Sequence, residues 1–111
     1  MKTLLYGGSF DPPHNGHLNN LRAAAACVRP DRVVVMPAGL SPFKQHTAAP
    51  AALRLEMCGC FRQLAQGEEA VIPQLEVSSW EIAQAEAGRR NYTVLTVEML
   101  AAQDPEGELY L

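Results

Sequence analysis

Residues 7 to 17 read Gly7-Gly8-Ser9-Phe10-Asp11-Pro12-Pro13-His14-Asn15-Gly16-His17, and this segment holds the residue types best suited to chemistry. Gly7 and Gly8 let backbone amides come close to a phosphate, and Gly16 removes a side chain where a ligand must lie flat. His14 and His17 straddle an expected helix start, so both imidazoles face one ligand. The free amides of a first helical turn favour bound anions. The helix dipole disfavours imidazolium in an empty site. A bound triphosphate reverses that preference and lets each ring donate hydrogen bonds to phosphate oxygens. Such a site suits stabilisation of charge on a transferring phosphoryl group.

Rival readings fit the segment less well. A Walker A loop needs Gly-Lys-Ser/Thr at the helix start, and the glycine spacing is not that of a dinucleotide fingerprint. Zinc needs a third ligand, and none is near the histidine pair in sequence, so no metal residues are assigned. A turn with incidental histidines leaves this concentration of glycine, proline and histidine unexplained.

The elements that must position the segment follow from periodicity. Thr3 to Tyr6 is a short apolar run that stops at the glycines, as a buried strand entering a tight turn does. Asn15 to Arg29 places Leu18, Leu21, Ala25 and Val28 at helical spacing, and Pro30 ends that helix. Val33 to Met36 reads as a strand buried on both faces, as in a parallel sheet. A loop over residues 37–50 precedes a second helix with Leu53, Met57, Cys60, Phe61 and Leu64 on one face. Ala70 to Val77 reads as a third strand, and Pro73 inside it assigns it to a sheet edge. Ser78 to Arg90 is polar and ambiguous, with Trp80 as its packing anchor. Asn91 is a suitable N-cap for a third helix from Tyr92 to Gln103. Leu109-Tyr110-Leu111 begins a fourth strand.

Alternating strands and helices predict an α/β fold, a Rossmann-like doubly wound parallel sheet of about four strands in the order 3-2-1-4. The 111 residues suit one domain. Its last strand has nothing after it to cover the outer edge, so residues 1–111 read as the N-terminal half of a domain, truncated within it. That open edge invites pairing with another chain, and a homo-oligomer is the expected consequence.

A formal net charge of -3 argues against a nucleic-acid or acidic-membrane surface, since both need clustered positive charge. No run reaches membrane-spanning length. Cys27, Cys58 and Cys60 do not form a disulfide framework and read as small buried hydrophobes in a reducing compartment. The expected location is the cytoplasm.

With these residues in view, the chain resembles the nucleotidyltransferases that carry the His-x-Gly-His signature, here His14-Asn15-Gly16-His17. Within them it is most similar to bacterial nicotinate-nucleotide adenylyltransferases. Gly7 to Leu18 carries the resemblance first. Met36-Pro37 followed by Ser41-Pro42-Phe43-Lys44 is similar to the family's Pro-Pro-His-Lys loop, and Asn91-Tyr92-Thr93 with Thr96 to its Ser-Tyr-Thr-x-x-Thr helix start. The chain departs from the pattern at Phe43, Asn91 and Leu95, where the family usually has histidine, serine and an acidic residue.

The resemblance implies transfer of AMP from ATP to nicotinate mononucleotide, with Mg2+ arriving on ATP. It implies nucleotide binding by Gly7, Gly8, Ser9, Phe10 and Gly16, and catalytic phosphate contacts from His14, His17 and Lys44. Tyr92 and Thr93 would lie near the pyridine-carboxylate substrate. Two alternatives stay open: a relative with another phosphate acceptor, and a non-catalytic nucleotide-binding or assembly module.

Overall fold

The computed structural model describes residues 1–39, 50–66, 72–89 and 92–111. Four strands, β1 (Lys2–Gly8), β2 (Arg32–Pro37), β3 (Leu75–Val77) and β4 (Glu108–Tyr110), form one sheet in the order β3-β2-β1-β4. Every pairing is parallel, with Leu4 opposite Val33, Val34 opposite Glu76, and Thr3 opposite Leu109. The expected α/β fold and strand order are what the structure shows.

The central strands are apolar on both faces because helices cover both. Val33, Val34, Val35 and Met36 are each no more than 1% exposed. On one face, Leu4, Val33 and Val35 pack with Leu21 and Ala25 of α1 (Asn15–Val28) and with Phe61 and Leu64. Phe61 and Leu64 lie on a 3-10 helix, Cys58–Ala65, that continues directly from α2 (Ala51–Met57). On the other face, Leu5, Val34 and Met36 pack with Leu100 of α4 (Thr93–Gln103) and with Trp80, which opens α3 (Trp80–Glu86). Alternation of side chains along each strand thus feeds two separate cores.

Several local expectations need correction. The second helix is not one continuous α-helix but tightens to 3-10 geometry at Cys58. Leu53, assigned to its buried face, is 47% exposed, and Arg54 is buried instead. β3 is shorter than expected and Pro73 precedes it, although β3 does lie at a sheet edge. The ambiguous segment contains α3. Cys27 is exposed, whereas Cys58 is buried. Tyr92, not Asn91, is the residue flanking the start of α4, and its side chain makes no cap hydrogen bond. Asn91 and the first residues of the expected third strand lie outside the described residues, as do Phe43 and Lys44 of the expected 37–50 loop.

Candidate functional site

β1 ends at Gly8 and α1 begins at Asn15, so the connecting loop lies at the carboxyl end of the strands, where open α/β sheets bind ligands. α4 runs antiparallel to the strands and is followed by β4, which brings its N-terminus, with Tyr92 and Thr93, to the same end. Tyr92 and Thr93 are both exposed there.

The two histidines cap the helix they open. The His14 Nδ1 accepts from the Gly16 amide at 3.0 Å, and the His17 Nδ1 accepts from the His14 amide at 3.0 Å. This is a capping box built from imidazoles, satisfying two amides that helix geometry leaves unpaired. A backbone N–H is always the donor, so each Nδ1 must be unprotonated. The proton of each neutral ring therefore sits on Nε2. Both rings present an N–H away from the helix, and they stack with centroids 3.9 Å apart.

Their electrostatics follow from this packing. Burial pushes the His17 pKa below its ordinary 6.5, and the neighbouring His14 pushes it the same way. The His17 shift is what burial of a cation beside a second imidazole should produce.

Gly16 serves this arrangement directly. A Cβ at Gly16 would lie 2.8 Å from the His14 Cε1, so any other residue displaces the capping ring. Gly8 has a comparable reason: a Cβ there would approach the Phe10 ring to 3.2 Å. Phe10 itself takes a left-handed conformation with φ of 49° and is 2% exposed. Such strain costs about 1–3 kcal/mol in a non-glycine residue. Burial of a phenylalanine side chain returns about 1.5–3 kcal/mol. Its ring meets Tyr6, His17 and Phe61 edge-on at 5.5, 5.1 and 5.3 Å. The Tyr6 hydroxyl also donates to the His17 carbonyl at 3.3 Å. The loop is therefore seated by aromatic packing beneath His17.

The structure thus brings Gly7, Gly8, Ser9, Phe10, His14, Gly16 and His17 together in one loop and helix start, and sets Tyr92 and Thr93 at the same end of the sheet. Lys44 lies outside the described residues. One residue at this end was missed by sequence reasoning. Arg54, only 1% exposed, donates to the carbonyls of Ser9, Ala38 and Gly39. The signal was present: Arg54 stands one and two helical turns before the buried Cys58 and Phe61, a stripe position where an arginine needs partners.

Residues 5–106 match the cytidylyltransferase-like family. The chain is 40% identical over 106 residues to a Neisseria meningitidis serogroup C (strain 053442) protein named "probable nicotinate-nucleotide adenylyltransferase", covering 96% of this chain and 49% of that one. A Sulfurovum sp. (strain NBC37-1) protein of the same name is 40% identical over 90 residues, or 81% of this chain and 44% of its own length. A third, from Shewanella sp. (strain ANA-3), is 33% identical over 112 residues, 99% of this chain and 47% of that protein. The chain spans about half the length of these curated relatives. Among the described residues no helix is long and apolar enough to cross a membrane. The match over most of its length, together with the parallel sheet and the histidine-capped helix at its carboxyl end, makes this chain a member of the cytidylyltransferase-like family.

Proposed function

We propose that the chain supplies the ATP-handling part of an adenylyltransferase that joins AMP to nicotinate mononucleotide. The observation that carries this reading is the stacked histidine pair, whose capping bonds fix both Nε2–H groups as donors. The names of the relatives support the acceptor. A phosphate oxygen of nicotinate mononucleotide attacks the α-phosphorus of ATP, the bond from that phosphorus to the bridging oxygen breaks, and pyrophosphate leaves with the bond's electrons. The attacking phosphate has a second pKa of about 6, so it is ionised at neutral pH without a protein base. His14 and His17 hold the phosphates and stabilise the charge that develops during transfer. Gly7 to Phe10 and Gly16 line the nucleotide path, Lys44 reaches the phosphates, and Tyr92 and Thr93 contact the acceptor.

The site's side-chain donors are imidazole nitrogens, which suit Mg2+ poorly. Phosphate oxygens and water would hold the ion, and it would neutralise phosphate charge. A reaction that consumes ATP fits the expected cytoplasmic location.

The test is pyrophosphate release from ATP by this 111-residue chain and by a full-length relative, with nicotinate mononucleotide, phosphopantetheine or a sugar phosphate as acceptor. The reading expects the relative to turn over with nicotinate mononucleotide. This chain should bind ATP, and any turnover it shows should be with the same acceptor. Turnover by this chain with another acceptor alone would refute the assignment.

A further inference from the structure

We propose that Arg54 is a positioning residue for the nucleotide loop, fixing through one guanidinium both the phosphate-facing turn after β1 and the point where the chain leaves β2. The inference rests on the reading that this loop binds ATP phosphates.

The Arg54 Nη1 donates to the Ser9 carbonyl at 2.8 Å and to the Ala38 carbonyl at 2.7 Å, and Nη2 donates to the Gly39 carbonyl at 3.0 Å. The Ala38 amide in turn donates to the Gly8 carbonyl at 2.8 Å, so the two loops are tied to each other and to α2. The Ser9–Phe10 peptide is trans, so its carbonyl and amide point in opposite directions. Drawing the Ser9 carbonyl towards α2 therefore turns the Phe10 N–H away from α2 and sets the left-handed turn at Phe10. The Gly39 carbonyl is the last described group before the segment that carries Lys44. One side chain thus orients the loop that opens the histidine helix and the exit of the chain from β2 at Ala38 and Gly39.

Packing alone does not explain an arginine here. Burying a cation is costly, and an apolar residue of similar volume is often as stable or more so. What a hydrophobe cannot do is donate to three carbonyls at once. An ammonium group lacks the planar fork and cannot reproduce that geometry.

The test compares wild type with Arg54→Lys, Arg54→Met and the core control Cys58→Ala. It measures Mg-ATP affinity by calorimetry, thermal midpoint by circular dichroism, and the amide resonances of Ser9 and Phe10 by NMR. Cys58 is fully buried one helical turn after Arg54, at the start of the 3-10 helix, and packs in the core with Phe61 and Leu64. Both Arg54 variants should lose about tenfold in affinity, the size of one misplaced hydrogen bond, and shift the Ser9 and Phe10 amides. Cys58→Ala should lower the midpoint with affinity unchanged. Wild-type affinity in both Arg54 variants would overturn the proposal. So would an affinity loss that merely tracks the midpoint in all three variants. If Arg54→Met does not fold, Arg54→Lys decides alone. If wild type itself does not bind Mg-ATP, the ATP reading fails and the ligand-free amides decide: unmoved Ser9 and Phe10 resonances in Arg54→Lys would overturn the positioning role, and displaced ones would support it.

Discussion

His14 and His17 each use Nδ1 to cap α1, and the proposed function gives Nε2 to the phosphates, so helix stability and ligand binding can be separated by substitution. His17→Ala removes the reciprocal cap and should destabilise the fold by about 1 kcal/mol. His17→Gln keeps an acceptor at the capping-box position and should hold the thermal midpoint near wild type while ATP affinity falls as far as in His17→Ala. Equal midpoints in the two variants would mean that the cap contributes nothing. The same ring gives stability a pH dependence. The His17 pKa is lowered on folding, first by burial and then by His14, so between 6.5 and the lower folded value the unfolded chain binds more protons. Stability is then full above pH 6.5 and declines as pH falls through that window. Chemical denaturation at a series of pH values should show this slope in wild type and a shallower one in His17→Gln; identical slopes would place the effect elsewhere.

α1 depends on Gly16 as much as on its apolar face, since a methyl at that position collides with the His14 ring. Gly16→Ala raises helix propensity, yet it should lower both the thermal midpoint and ATP affinity because the cap must move. A raised midpoint would show that the ring relocates freely. On the opposite face, Leu100→Ala in α4 should cost about 2–5 kcal/mol, readable by urea unfolding. The sheet order was legible in the sequence because β2 is apolar at every central position and helical and strand periods alternate around it. The loop between β1 and α1 stood out in the sequence because glycine, proline and histidine concentrate there. Two features were not legible. Helical spacing hints that Arg54 is buried, but its role is not readable from sequence, because its three carbonyl acceptors lie in loops distant in sequence. The capping role of the histidines needed the backbone, because spacing places the rings on one side without revealing which nitrogen is engaged.

At the scale of the molecule, the chain spans about half of its relatives, and β4 forms one edge of the sheet, paired to β1. Tyr110 and Leu111 are 37% and 75% exposed beside that edge. An open edge of this kind pairs with other strands, so sedimentation velocity should show concentration-dependent self-association that Tyr110→Lys reduces. A monomer at all concentrations would contradict that expectation. The catalytic account, however, turns on the histidine pair, and the most direct measurement is long-range 15N NMR of its imidazoles, titrated with Mg-ATP near pH 7.5. The account predicts that both rings carry their proton on Nε2 before ATP is added, and that both Nε2 resonances move on binding. A proton on Nδ1 in either ring, or Nε2 resonances indifferent to saturating Mg-ATP, would contradict it.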